Sequence, residues 1–270
     1  MNWPAFNHEA MATTFQVFVA GRPADYARQA AAAAFRELDR LENELSRFIE
    51  TSDIARANHL AAGESMVLGE DALQCLLGAA QISALTDRAF DPAYATPRAA
   101  GSDEPLFALD TASHTLTSLT GRLHLDLGAV GKGYALDRMA EVLAEWDIAS
   151  ACLQSGCSTA LALAAPPEAA GWPIGVGDEV RNFAHRAVSG SGLAVQGEHL
   201  IDPRTGAPAK RTRRMWSLAG NAADADALST AFFVMPDDAV VEFCREHPKY
   251  GAVFTSAEGT QRNVGLVGGK

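Results

Sequence analysis

Segments of strand length and helical stripes follow one another along this chain without the strict strand–helix–strand alternation that a parallel sheet requires. Residues 13–20 (TTFQVFVA) alternate as a half-buried strand does. Pro23 then opens a long helix to about Phe48, in which Phe35, Leu38, Leu41, Leu45 and Phe48 recur every three or four residues and form one apolar face. Residues 71–85 form a second amphipathic helix through Leu73, Leu76, Leu77 and Leu85. The stretch 86–110, rich in Pro, Gly and Ala, has no clear period and reads as loop. Strands are expected at 114–118 and 121–127 around a Thr120-Gly121 turn, then a helix over 132–146. Further short strands are expected at 149–154, 158–163, 183–189, 192–202, 213–219, 250–255 and 261–267. A helix over 225–235 is broken by Pro236, and another runs to about His247. This order predicts an α+β fold with mixed, largely antiparallel sheets.

The 270 residues suit one large domain or two small ones, and 48% apolar content supplies a sizeable core. A net charge of −11 disfavours nucleic acid and anionic lipid as partners. No run of about 18 apolar residues is present, so no membrane span is expected. The first ten residues hold no basic n-region, apolar h-region or lipid-attachment cysteine, so a cytoplasmic location is expected for the sequence as written. Cys75, Cys152, Cys157 and Cys244 have the spacing of neither a disulfide scaffold nor a zinc site and are expected to be buried thiols.

Four segments carry groups with chemical potential. In Asp126-Leu127-Gly128-Ala129-Val130-Gly131-Lys132-Gly133-Tyr134-Ala135-Leu136-Asp137 a strand end runs through a glycine turn into a helix. Such a turn lets backbone approach a phosphate, Lys132 adds a cation, and a purely structural turn reads the same way. The spacing is not that of a P-loop. In Ala223-Asp224-Ala225-Asp226-Ala227-Leu228-Ser229-Thr230, Asp226 and Thr230 share a helix face as i, i+4. A carboxylate with a hydroxyl is oxygen ligation for a hard ion such as magnesium, and equally a helix-dipole acid beside a satisfied Thr. Glu198-His199-Leu200-Ile201-Asp202-Pro203-Arg204-Thr205-Gly206 ends a strand in an Asp-Pro turn, where His199 is a candidate general base. The fourth, Ser46-Arg47-Phe48 onward to Asn58, places an aromatic ring near polar groups after the long helix.

Together and in this order, these segments, with Met11-Ala12-Thr13 and Phe90-Asp91-Pro92-Ala93, resemble the ApbE-like family of FAD:protein FMN transferases. The resemblance covers about Met11 to Val253 and rests chiefly on DLGAVGKGYALD, HLIDPRTGAP and ADALSTA. It implies a single domain across 1–270, built of two related halves. It also implies magnesium, FAD as substrate, transfer of FMN to a Thr or Ser hydroxyl of an acceptor flavoprotein, and release of AMP. Family members are often exported.

Carried over residue by residue, the resemblance makes Asp226 and Thr230 the magnesium ligands, joined by a backbone carbonyl near Ala129. Asp126 and Lys132 become FAD contacts. Met11 and Phe48 meet the flavin, as do Asp91, Pro92 and Ala93. His199 and Ile201 belong to the H-I-I-D-P-like run near the site. His199, or a carboxylate such as Asp202, would take the proton from the attacking hydroxyl, and Asp226 is the essential acidic residue.

This sequence departs from the family pattern in three places. Ala93 stands where the pattern has Thr, and Ala12 where it has Gly. Gln154-Ser155-Gly156-Cys157-Ser158 replaces an Asn-x-Gly-Gly-Asp-like turn. Two alternatives therefore accompany the transferase: a magnesium-dependent FAD pyrophosphatase with water as acceptor, and a flavin-binding protein without turnover. Retention of Asp226 and Thr230 favours the enzyme, since a binder has little need of metal ligands.

Overall fold

The computed structural model describes residues 3–98, 102, 104–191, 201–209, 214–256 and 259–265. Its strands are β1 (Ala5–Ala10), β2 (Thr13–Val19), β3 (Ser65–Val67), β4 (Phe107–Asp110), β5 (Thr115–Ser118), β6 (Ala151–Ser155) and β7 (Thr159–Ala162). They continue as β8 (Trp172–Val176), β9 (Glu179–Phe183), β10 (Arg186–Ser191), β11 (Met215–Ala219), β12 (Gly251–Thr255) and β13 (Gln261–Gly265). The helices are α1 (Ala24–Leu45), α2 (Asp53–Ala57), α3 (Glu70–Leu85), α4 (Gly131–Glu145), α5 (Ala222–Val234) and α6 (Asp237–Glu246).

An eight-stranded sheet in the order β1-β2-β6-β7-β10-β11-β12-β13 forms the centre, and every pairing among the described strands is antiparallel. Four strands come from the chain before residue 163 and four from after residue 185. On one face lie the helices. The alanines of α1 (Ala27, Ala30, Ala31 and Ala34) are fully buried, and with Leu38 and Leu41 they let α1 pack closely on α4. In turn α4 packs on α5, and α5 lies across β10 and β11. Each leucine buried in this layer contributes about 1.5–3 kcal/mol. The other face of the sheet carries a smaller cluster, in which the β8–β9 hairpin places Trp172, Ile174 and Val176 over Cys152, Val188, Leu218 and Val253.

The structure corrects several sequence expectations. The long helix ends at Leu45, where Ser46 turns extended, so Phe48 leaves the apolar stripe and stands 79% exposed. Residues 121–127 form no strand. Their backbone is satisfied by loop partners instead: the His124 amide by Thr96 Oγ1, the Leu125 amide by Asn58 Oδ1, and the Asp126 amide by the Pro92 carbonyl. β5 pairs instead with β4, inside the stretch read as loop, and with β3. Further strands, β1, β3, β8 and β9, were not expected, although β1 and β8 alternate in burial: β1 is largely polar, β3 has three residues, and β8 carries Pro173 and Gly175 between its buried positions. β1 is an edge strand whose inward positions include His8, stacked on Phe35 and bonded to Asp39 at 2.6 Å. Most of the strand expected over 192–202 lies outside the described residues. Among the cysteines, Cys75, Cys152 and Cys244 are buried, and burial pushes the Cys152 and Cys244 thiols up to about 12. Cys157 is exposed, against expectation. Among the described residues no helix is long and apolar enough to cross a membrane.

Candidate functional site

A cleft of about 280 Å³ lies between the β1–β2 turn, the C-terminal end of α1 and the glycine turn before α4. Met11 and Ala12 form its first wall. Both adopt positive φ, 49° and 58°, the pattern of a two-residue hairpin turn whose twist matches the flanking strands. The Met11 amide donates to the Glu42 carboxylate at 2.7 Å, which pins the hairpin tip to α1.

The second wall is Arg47 and Phe48. The guanidinium lies 4.1 Å from the centre of the Phe48 ring and meets Asp126 Oδ2 at 3.1 Å. The ring is thereby steadied while remaining open to a flat ligand.

The third wall is the turn from Asp126 to Lys132. Asp126 Oδ1 accepts from the Gly128 amide at 2.8 Å, a local bond that shapes the turn. Its other oxygen faces Arg47 and the Tyr94 hydroxyl, whose pKa burial and Asp126 raise, keeping it a donor. Lys132 Nζ donates to the Gly128 carbonyl at the cleft edge. The cleft thus combines an exposed aromatic face, two cations and flexible glycine backbone.

Asp226 lies deeper, 5% exposed, on α5. Its Oδ2 accepts from the Gly133 amide at 3.1 Å, and its Oδ1 accepts from Thr159 Oγ1 at 3.0 Å and Ser189 Oγ at 3.3 Å. Three elements, α4, β7 and β10, therefore aim donors at one carboxylate and fix its orientation. Among the described residues it has no cation as an ion-pair partner. Thr230 follows one turn later, half-buried. Ala129 lies four residues before Gly133, at the same α4 entry. Among the described residues no three His, Cys, Asp or Glu side chains gather in a metal-binding group. An ion here would draw on Asp226, the Thr230 hydroxyl and backbone oxygen, with the rest of its sphere from ligand and water. That donor set fits magnesium, which keeps several waters and uses one or two carboxylates.

The structure thus brings Met11, Phe48, Asp126 and Lys132 together around one cleft, and joins Asp226 to the start of α4 through Gly133. Asp91, Pro92 and Ala93 do not line the cleft. They are buried beneath it, where Asp91 caps the Ala93 amide at 2.8 Å and pairs with Arg98 at 3.1 Å, while Pro92 holds the Asp126 amide. Ile201 is also absent from the lining, 37% exposed in a small bridge with Pro208. Asp202 is forked by Arg204 at 2.9 Å through both oxygens; burial raises its pKa, but these bonds outweigh it and hold the carboxyl below its ordinary range, which weakens it as a base. His199 lies outside the described residues. In the 154–158 turn, Gly156 alone takes positive φ, 54°, so Cys157 needs no left-handed backbone.

Sequence reading missed the roles of Glu42, Arg47, Tyr94, Thr159 and Ser189. Arg47 had a signal, its place beside Phe48. Thr159 and Ser189 had none, because they converge on Asp226 from separate strands.

An exposed ring flanked by cations, beside a buried carboxylate that no cation pairs among the described residues, defines an α+β protein with a site suited to an aromatic, anionic ligand. The chain belongs to the ApbE family, whose sequence model matches residues 11–254. A curated relative, the FAD:protein FMN transferase of Treponema pallidum (strain Nichols), is 30% identical over 168 residues, covering 53% of this chain and 46% of the relative. The match therefore spans about half of that relative's length. The fold is shared with the apo flavinyl transferase ApbE of Pseudomonas stutzeri (22% identity, TM-score 0.83, covering 97% of this chain and 95% of that one). It is shared likewise with the flavin transferase ApbE of Vibrio cholerae (20% identity, TM-score 0.83, 96% of each chain). The ApbE protein of Thermotoga maritima matches at 24% identity and a TM-score of 0.81 over 97% of each chain.

Proposed function

We propose that this protein transfers FMN from FAD to a Thr or Ser hydroxyl of an acceptor flavoprotein, releasing AMP, with magnesium bound at Asp226. The observation that carries the reading is the convergence of Phe48, Lys132 and Asp126 on one cleft, with Asp226 tied to the same α4 entry by the Gly133 amide. The names of the relatives support it. Phe48 offers a face for the isoalloxazine ring, and Met11 packs at the cleft wall beside it. Lys132 and Arg47 offset the negative charge of the dinucleotide, which an acidic protein would otherwise repel. Bound magnesium would neutralise charge on the pyrophosphate oxygens as the phosphoanhydride opens. The donors on Asp226 fix that carboxylate in place. His199 is the side chain we assign to take the proton from the attacking hydroxyl.

The test is to incubate the purified protein with FAD and magnesium and to assay AMP, with and without a candidate acceptor followed by mass spectrometry. The acceptor should gain the mass of an FMN phosphoester, and Asp226→Ala should abolish AMP release. AMP and free FMN formed at equal rates with or without acceptor would make the protein an FAD pyrophosphatase.

A further inference from the structure

Asp226 and Thr230 ride on α5, and α4 grips that helix at two points one turn apart. At the first, the Gly133 amide donates to Asp226 Oδ2 at 3.1 Å. At the second, Asp137 Oδ1 accepts from the Ala222 amide at 2.7 Å, and Oδ2 from the Ala223 amide at 2.8 Å. Gly133 and Asp137 are i, i+4 and share one face of α4. The two helices touch there: a Cβ on Gly133 would stand 2.1 Å from the Ala222 carbonyl oxygen.

We infer that Asp137 is a positioning residue for the site: it holds the first turn of α5 against α4 and so fixes where Asp226 presents its carboxylate. The inference rests on the reading of Asp226 as an oxygen ligand for a divalent ion.

Ordinary capping does not account for Asp137. The N-cap of α5 is Asn221, whose side chain already accepts the Asp224 amide at 2.7 Å. Asp137 adds two bonds from a different helix, 85 and 86 residues away in the chain, to the first two amides of α5. A carboxylate is the group for this task. Each of its oxygens takes one amide, and when the group is ionised its charge lies at the positive end of the α5 dipole. An amide side chain would turn an N–H group toward one of the two donors. With the first turn fixed, Asp226 lies one turn further on, opposite Gly133.

The test compares two variants that both disturb the start of α5. Asp137→Asn breaks the tie to α4; Asn221→Ala removes the local cap. Mn2+ binding is followed by the loss of its free electron paramagnetic resonance signal, with saturating FAD present, alongside thermal unfolding of each variant. Asp137→Asn should weaken Mn2+ by about tenfold, the low end for loss of a supporting partner behind a metal ligand. Asn221→Ala should lower the unfolding temperature while leaving Mn2+ affinity within about twofold, because a cap acts on helix stability alone. Asp137→Glu, which keeps the charge and displaces it by a methylene, should weaken Mn2+ as well; it carries the test if the Asn variant does not fold. Wild-type Mn2+ affinity in the Asp137 variants, or equal weakening by Asn221→Ala, overturns the assignment. A wild-type protein that binds no Mn2+ overturns the metal reading of Asp226 and this inference with it.

Discussion

Phe48 is the residue at which folding and function separate most cleanly. Its ring is 79% exposed and touches one guanidinium, so it adds little to the core. Phe48→Ala should therefore change folding stability by no more than about 0.5 kcal/mol, as surface substitutions do. Flavin binding should weaken by roughly 1–3 kcal/mol, the range for loss of an aromatic stack. Fluorescence titration with FAD beside denaturant unfolding checks both halves; equal binding by the variant and the wild type would remove the ring from the site. The sequence made Phe48 visible only as a member of an apolar stripe. It could not show where that stripe stops, because Ser46 ends the helix through a backbone turn that has no apolar signature. Asp126 and Lys132 were legible for the opposite reason: Asp126 opens and Lys132 closes a glycine turn into a helix, which can be read locally. Asp91 was legible as a motif but not as a role, since its salt bridge to Arg98 is settled by packing.

At the scale of elements, the contact between α4 and α5 decides the site. Gly133 is the smallest residue at the tightest approach, with the Ala222 carbonyl carbon only 2.6 Å from where a Cβ would lie. Gly133→Ala should force the helices apart, costing roughly 1–3 kcal/mol of stability as overpacking does. It should also lengthen the bond from residue 133 to Asp226, so magnesium-stimulated AMP release should fall further than the stability loss explains. Calorimetry paired with the AMP assay separates the two effects, and undiminished activity at reduced stability would show that the approach matters for packing alone. Long, periodic elements such as α1, α3 and α4 were legible in the sequence, because a helix buries one continuous stripe. Strands β1, β8 and β9 were not. β1 hides its alternation behind polar side chains such as Asn7, His8 and Glu9, and β8 sets its buried Trp172, Ile174 and Val176 between Pro173 and Gly175, residues that read as turn.

Across the whole molecule, the clearest response to pH should come from Asp137. Burial pushes its carboxyl up from 3.8 to about 7; the Ala222 and Ala223 amides oppose this, and Asp224 and Glu141 add to it. The folded protein then binds this proton more tightly than the unfolded chain does. The resulting stability is fully present below pH 3.8 and is lost as pH rises toward about 7. Denaturant unfolding between these limits should give a more negative slope of stability against pH for the wild type than for Asp137→Asn. The difference should not exceed about 1.4 kcal/mol per pH unit, the limit for one proton. Parallel slopes would mean that Asp137 titrates alike in folded and unfolded chains.

The three donors that hold Asp226 lie 93, 67 and 37 residues from it along the chain. No short stretch of the protein can assemble that pocket, and contacts so remote in sequence form slowly because the intervening loops must close first. A chain still emerging from synthesis would present Phe48 and the glycine turn before Asp226 itself had been made. During refolding, the cleft from Met11 to Lys132 and the Asp226 pocket both wait on long-range contacts, so flavin and metal-dependent signals should rise late and together. The finished carboxylate would be a mark of molecules in which strands from both halves of the chain have already paired.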